Sequence, residues 1–277
     1  MKNLLVRTLT GLIYVVVIVV GITVSSYSFL ALFSTITALC LWEFYHLLNR
    51  QGQVKINPLY HCLGGSVLFV STYLYAAGFV SPAIFFLYLI YIALVLILEL
   101  YEKQRDPILH SASVFLGQCY IALPLAMLNL LVFRSGEGGE NQYYWVFILA
   151  LFVFIWVNDT GAYLIGSQFG KHRLFERISP KKSWEGFFGG LFFAIVSSLV
   201  FARFEPEIPY YHWAGLAIVI AIFGTWGDLI ESLIKRTLGV KDSGKTLPGH
   251  GGFLDRFDSL LLAIYAMLFY VELFIRN

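Results

Sequence analysis

Asp228, Glu231, Ser232, Lys235 and Arg236 fall at i, i+3, i+4, i+7 and i+8, the spacing of one continuous polar stripe along a helix. Asp255 and Asp258 are i, i+3 neighbours on a second such segment, and a loop rich in glycine and cations joins the two. Carboxylates offered by two helix ends across a short loop are hard oxygen donors of the kind that hold Mg²⁺ against a nucleotide phosphate. Lysines and glycine N–H groups in irregular loops bind anions. A second constellation precedes them: Asn158-Asp159-Thr160-Gly161, then Gly170-Lys171-His172, then Ser179-Pro180-Lys181-Lys182-Ser183-Trp184-Glu185-Gly186. It reads as a cation pocket for a phosphate-bearing substrate, facing Asp159. An acid at the centre of a membrane helix costs roughly 2.5–3.5 kcal/mol, which makes each of these a candidate for function.

The elements that carry them are set by composition. The chain is 58% hydrophobic, 17% aromatic and only 13% charged, against about a quarter charged in a soluble domain, so it is expected to be an all-α, polytopic membrane protein. A net charge of +2 gives no case for nucleic acid. The apolar stretches predict about nine spans, near 8–25, 28–48, 58–79, 82–101, 109–133, 144–166, 184–202, 210–234 and 254–275. Five fall in an N-terminal half, 1–140, and four in a catalytic half, 141–277, with cytoplasmic loops at 167–183 and 235–253. With the N-terminus inside and the C-terminus outside, all 19 lysines and arginines except Arg134, Arg203 and Arg276 fall on the inside, the bias that marks the cytoplasmic face. Asp159, Asp228, Asp255 and Asp258 then converge on that face. Counting back from Arg236 at 1.5 Å per residue sets Asp228 roughly 12 Å below the interface, so a polar cavity must open there.

Several features have plainer readings. Gly239 to Thr246 matches the P-loop pattern G-x-x-x-x-G-K-[ST], but no strand precedes it and Pro248 denies it the helix that would face a phosphate. Gly186, Gly189 and Gly190 are expected to permit close helix packing, and Pro124 to kink its span. Glu43 and Glu99 are read as interfacial or structural pairs, and Cys40, Cys62 and Cys119 as core filler without metal or disulfide spacing. Cations near Trp184 would follow from the positive-inside rule alone, and Asp255 with Asp258 could simply pair with Arg256 and Lys235.

Ser232-x-Ile234-Lys235-Arg236, then Lys241-Asp242-x-Gly244, then Leu247-Pro248-x-His250-Gly251-Gly252-Phe253-x-Asp255-Arg256-Phe257-Asp258, resembles the signature of the phosphatidate cytidylyltransferase (CDP-diacylglycerol synthase) family. The Ser179–Gly186 segment is similar to that family's second recurring motif, and the resemblance covers about residues 156–260. It implies cytidylyl transfer from CTP to phosphatidate, with pyrophosphate released, in the inner (plasma) membrane and on its cytoplasmic face. Asp228, Asp255 and Asp258 would hold Mg²⁺, with Asp159 a further ligand or neighbour and a second metal ion left open. Lys235 joins the catalytic acids, and Lys181, Lys182, Ser232, Arg236, Lys241, His250 and Arg256 are the expected phosphate contacts. The partners implied are CTP, phosphatidate and the bilayer, with a homodimer left open. A transporter would need polar residues along both leaflets, which the outer halves of these spans lack. A lipid or polyprenol kinase using CTP is the nearest alternative chemistry.

Overall fold

The computed structural model describes residues 2–50, 52–102, 106–136, 139–244, 246 and 251–276, with the helical path alone for 2–7. It divides into two compact units, Met1–Trp145 with Asp242–Arg256, and Val146–Lys241 with Phe257–Asn277. Asp242–Arg256, which the sequence reading grouped with the C-terminal half, clusters with the first unit, and the stretch up to Lys241 with the second.

The first unit contains α1 (Lys2–Thr23), α2 (Ser26–Asn49), α3 (Pro58–Ala76), α4 (Phe86–Leu98), α5 (Pro107–Gly117) and α6 (Leu123–Val132), and α10 (Leu254–Phe274) begins in it. Helix starts are written locally. Ser25 caps α2 through a reciprocal pair with Ser28, both bonds 3.0 Å. Asn57 caps α3 and Asp106 caps α5, each with proline at the first helical position, where its missing N–H costs nothing. The expected disturbance at Pro124 takes the form of a π-turn, Gln118–Ala122, between α5 and α6. Gln118 secures that turn, donating to the Tyr45 hydroxyl at 3.0 Å and the His61 carbonyl at 2.9 Å. Glu99 pairs with His110, as a structural acid should. Cys119 departs from expectation: it is exposed on the outer surface of the π-turn, whereas Cys40 and Cys62 are buried.

The second unit contains α7 (Val146–Phe169), α8 (Trp184–Phe204), α9 (Tyr210–Thr237) and α10 from Phe257 onward. Two short antiparallel hairpins interrupt the all-α architecture. In the first unit β1 (Phe133–Ser135) pairs with β2 (Asn141–Tyr143), and in the second β3 (Arg173–Phe175) pairs with β4 (Ser179–Ser183). The latter replaces the irregular cytoplasmic loop expected from sequence.

Six helical segments among the described residues are long and apolar enough to cross a membrane: Ser26–Asn49, Pro107–Val132, Val146–Phe169, Trp184–Phe204, Tyr210–Thr237 and Leu254–Phe274. Thr8–Thr23 and Pro82–Leu98 are shorter apolar helices. Their outer faces are apolar, with Phe188 59% and Phe192 61% exposed on α8. An all-α integral membrane protein explains both features, since hydrocarbon and not water meets those side chains.

α7 and α8 approach closely enough for backbone to meet backbone. A Cβ on Gly186 would stand 2.8 Å from the Ala162 carbonyl oxygen and 3.1 Å from Gly166 Cα, and one on Gly190 would stand 2.5 Å from the Asn158 carbonyl oxygen. These obstacles are backbone atoms, which cannot rotate away. Gly190→Val should therefore destabilise the protein by about 1–3 kcal/mol through overpacking, read as a lowered thermal midpoint in detergent. Val200→Ala, on the exposed face of the same helix, should leave the midpoint nearly unchanged.

Candidate active site

A cavity of about 510 Å³ lies within the second unit, between α7, α8, α9 and the β3–β4 hairpin. Its acidic wall comprises Asp159 on α7 and Asp228 on α9, and its basic wall Arg173 on β3 with Lys181 and Lys182 on β4. The hairpin is clamped to the first turn of α8. Ser183 caps that helix, accepting from the Gly186 N–H at 3.1 Å. Glu185 accepts from the N–H groups of Lys171 and His172, both at 3.2 Å, and from His172 Nδ1 at 2.6 Å. The motif around Lys181 thus fixes strand, turn and helix together.

Asp228 is half-buried. Lys182 Nζ lies 2.6 Å from its Oδ2, and Ser232 Oγ donates to Oδ1 at 3.2 Å. Ser232, expected on phosphate, here orients the carboxylate. Asp258, one turn into α10, lies within electrostatic reach of Asp228, Asp159 and Lys235, and its Oδ1 accepts from the Ser259 N–H at 2.6 Å. Lys235 is buried and ion-paired with Glu231, its i+4 neighbour on α9. Asn158 Oδ1 is a buried acceptor on the cavity wall with no hydrogen-bond partner among the described residues.

Other expected site residues are occupied differently. Arg236 Nη1 donates to the Val240 carbonyl at 3.1 Å at the end of α9. Lys241 and Arg256 are exposed. Asp255, expected as a metal ligand, accepts from the N–H groups of Ser243 at 3.0 Å and Gly252 at 2.8 Å within the first unit. His250 lies outside the described residues, as do Lys245 and Pro248 of the P-loop-like segment. Arg173 was missed. Its place opposite Ser183 depends on a hairpin register with a bulge, which a three-residue strand does not announce.

The donor set suits a hard divalent cation. Asp159, Asp228 and Asp258 supply oxygens only, with cations set opposite for an anionic ligand. No group of at least three His, Cys, Asp or Glu closes at metal-ligand geometry among the described residues. Mg²⁺ needs no such cage, since it is held by one or two carboxylates with waters and substrate phosphates.

Comparison with known proteins bears on the same chemistry. The sequence model of the cytidylyltransferase family matches residues 5–274. A phosphatidate cytidylyltransferase of Bacillus subtilis (strain 168) is 32% identical over 277 residues, 97% of each chain. One from Staphylococcus aureus (strain COL) is 38% identical over 164 residues, 59% of this chain and 60% of its own. One from Staphylococcus epidermidis (strain ATCC 12228 / FDA PCI 1200) is 39% identical over 165 residues, with the same coverage.

The Lys182–Asp228 pair separates a structural role from a chemical one. A purely structural pair predicts that Asp228→Asn mainly lowers stability, and that adding Lys182→Met restores activity by removing the stranded cation. The expected result is different. Asp228→Asn should lower turnover of CTP at least about a hundredfold, on the order of 2.7 kcal/mol, while the protein stays folded. The double variant should be no more active than Asp228→Asn alone. Recovery of turnover in the double variant would assign the pair to stability.

Proposed function

The chain belongs to the cytidylyltransferase family, and from that premise we infer that it transfers a cytidylyl group from CTP to phosphatidate, giving CDP-diacylglycerol and pyrophosphate for phospholipid synthesis. The name borne by the Bacillus subtilis relative, aligned over 97% of both chains, supports this substrate pair. The observation that carries the reading is the cavity whose basic hairpin wall faces Asp159 and Asp228.

The chemistry asks for such a site. A phosphate oxygen of phosphatidate attacks the α-phosphorus of CTP, and the bond from that phosphorus to the bridging oxygen of the β-phosphate breaks. Pyrophosphate leaves with the bonding electrons. The nucleophile is already an anion, so no strong general base is needed. The barrier comes from bringing two anions together, and fixed cations with correct positioning lower it. Arg173, Lys181 and Lys182 supply cations at the cavity wall. Lys182 can exchange Asp228 for a phosphate oxygen without entering a drier environment, because the pair is only partly buried. Lys235 lies within electrostatic reach of Asp258 and offsets part of the acidic charge there. Asp228 and Asp258, with Asp159 beside them, are the groups that would hold Mg²⁺, which when bound neutralises triphosphate charge.

The membrane arrangement belongs to the same proposal: nine spans, N-terminus inside, C-terminus outside, in the plasma membrane with the cavity open to the cytoplasm. The distribution of lysine and arginine supports it. Soluble CTP and the lipid phosphate would then meet on the face where CTP is made available.

Two measurements test these statements. Purified protein given phosphatidate and CTP labelled at the α-phosphorus should move the label into CDP-diacylglycerol and release unlabelled pyrophosphate. Formation of labelled CDP with a newly phosphorylated lipid would instead establish a kinase. For orientation, a cysteine replacing Gly136 in a chain lacking Cys40, Cys62 and Cys119 should react with an impermeant thiol reagent from outside intact cells. One replacing Asp242 should not, and the opposite pattern would invert the topology.

A further inference from the structure

We propose that Glu43, on α2, is a positioning residue for cytidylyl transfer: its carboxylate ties Ser243 and Thr246, in the connection between α9 and α10, to the first turn of α10, which it caps. The proposal rests on the reading above, in which the carboxylates on those two helices serve the reaction.

Glu43 is buried at 7% exposure, and donors from both ends of the loop converge on it. The Ser243 hydroxyl donates to Oε2 at 3.2 Å, the Thr246 hydroxyl to Oε1 at 2.5 Å, and the Leu254 N–H to Oε2 at 3.0 Å. Leu254 is the first residue of α10, so its N–H lacks an intrahelical acceptor. An anion at that position satisfies the orphan donor and also lies at the positive end of the helix dipole. The cap comes from a side chain more than 200 residues away in the chain.

The backbone at Gly244 and Gly252 is shaped around this carboxylate. A Cβ on Gly244 would stand 2.7 Å from Glu43 Oε1, and one on Gly252 would overlap both Glu43 Oε2 and Ser243 Oγ. Bare backbone on both sides lets the acid reach three donors. Asp255 complements it, taking the Ser243 and Gly252 N–H groups, and Gly251 supplies the turn with φ +85°. Glu43 therefore ties Ser243 to Leu254, and Asp255 ties Ser243 to Gly252.

The connection to the reaction is covalent. One end of the loop continues from α9, which carries Asp228, and the other begins α10, which carries Asp258 one turn beyond Leu254. Removing Glu43 strands the buried Ser243 hydroxyl and Leu254 N–H and frees Ser243 and Thr246 from the start of α10. The competent arrangement then becomes a fraction of the population, and apparent substrate affinity falls by that fraction. High substrate restores the rate, so the loss appears in KM more than in kcat.

The test uses the full chain in lipid nanodiscs as Glu43→Ala and Glu43→Gln. Hydrogen exchange is followed in peptides covering 242–256 and, as a reference, the β3–β4 hairpin. In Glu43→Ala the loop peptide should exchange at least about tenfold faster with the hairpin unchanged, and KM for CTP should rise at least about tenfold with kcat within about threefold. Glu43→Gln should fall between, because its carbonyl can keep the Leu254 N–H and its amide can donate to the Thr246 hydroxyl. Unchanged loop exchange overturns the role of Glu43 while leaving the cavity chemistry intact. Faster loop exchange with wild-type KM overturns the loop's part in the reaction, and the positioning role with it. If Glu43→Ala fails to insert, the same two measurements on Glu43→Gln decide, with faster exchange and raised KM expected, and wild-type values of either refuting the proposal.

Discussion

A carboxylate on an apolar helix cannot rely on bulk water, so it must find compensating charge or hydrogen-bond donors within the protein. The partners found here differ in kind. Glu231 and Lys235 are paired where both side chains are almost fully buried, at 1% and 10% exposure. Separating them would leave two dry, unmatched charges, which keeps that pair closed. Glu43 accepts from two hydroxyls and a backbone N–H, and Asp255 from backbone N–H groups. Asp228 differs. Its lysine partner is as accessible as the acid itself, and both line the same cavity.

That cavity depends on a short motif in which nearly every residue has a separate task. Lys181 and Lys182 reach the cavity from β4, Ser183 caps α8, and Glu185 binds the backbone that enters the hairpin. Gly186 then lets α7 approach until backbone meets backbone. A larger residue at Gly186 would part α7 from α8, and with them the walls that bring Asp159 toward Lys182. Helix packing and electrostatics are thus not separable here: the cations face the acids only while the glycines keep the two helices in contact.

Much of this was legible in the sequence because it is local. The apolar stretches placed the helices that carry the site, although the caps that start helices at Ser25, Asn57, Asp106 and Ser183 went unread. The acids stood out by their cost in apolar surroundings, and the small-residue spacing of Gly186 and Gly190 correctly implied close packing. What escaped has a physical reason in each case. Strands of three residues have no period to read, so the hairpin that brings in Arg173 went unforeseen. Pro124 signalled a disturbance, but whether a proline kinks its helix or is absorbed by a π-turn depends on neighbours such as Tyr45 and His61 that hold Gln118. Cys119 lies outward because that turn rotates it outward. The partnership of Glu43 with Ser243 spans 200 residues, and no periodicity connects positions so far apart. Stripe spacing correctly aligned Asp228, Ser232 and Lys235 on one helix, yet could not say that Lys235 would be taken by Glu231.

The partly exposed Lys182–Asp228 pair suits the proposed reaction because of its modest strength. Because the pair is only partly buried, opening it costs less than opening a fully buried one. When a phosphate takes Lys182, Asp228 loses its counter-charge at the same moment that anionic charge enters the cavity. Under the proposed reaction, Asp228 would then be free to hold a divalent cation that offsets part of the phosphate charge. While Lys182 and Asp228 are paired, the two charges offset one another inside a membrane protein. A buried pair such as Glu231–Lys235 could not act this way, because its separation would cost several kcal/mol before any ligand contact formed. Exposure, and not sequence position on the stripe, therefore distinguishes the acid that can change partners from the one that cannot.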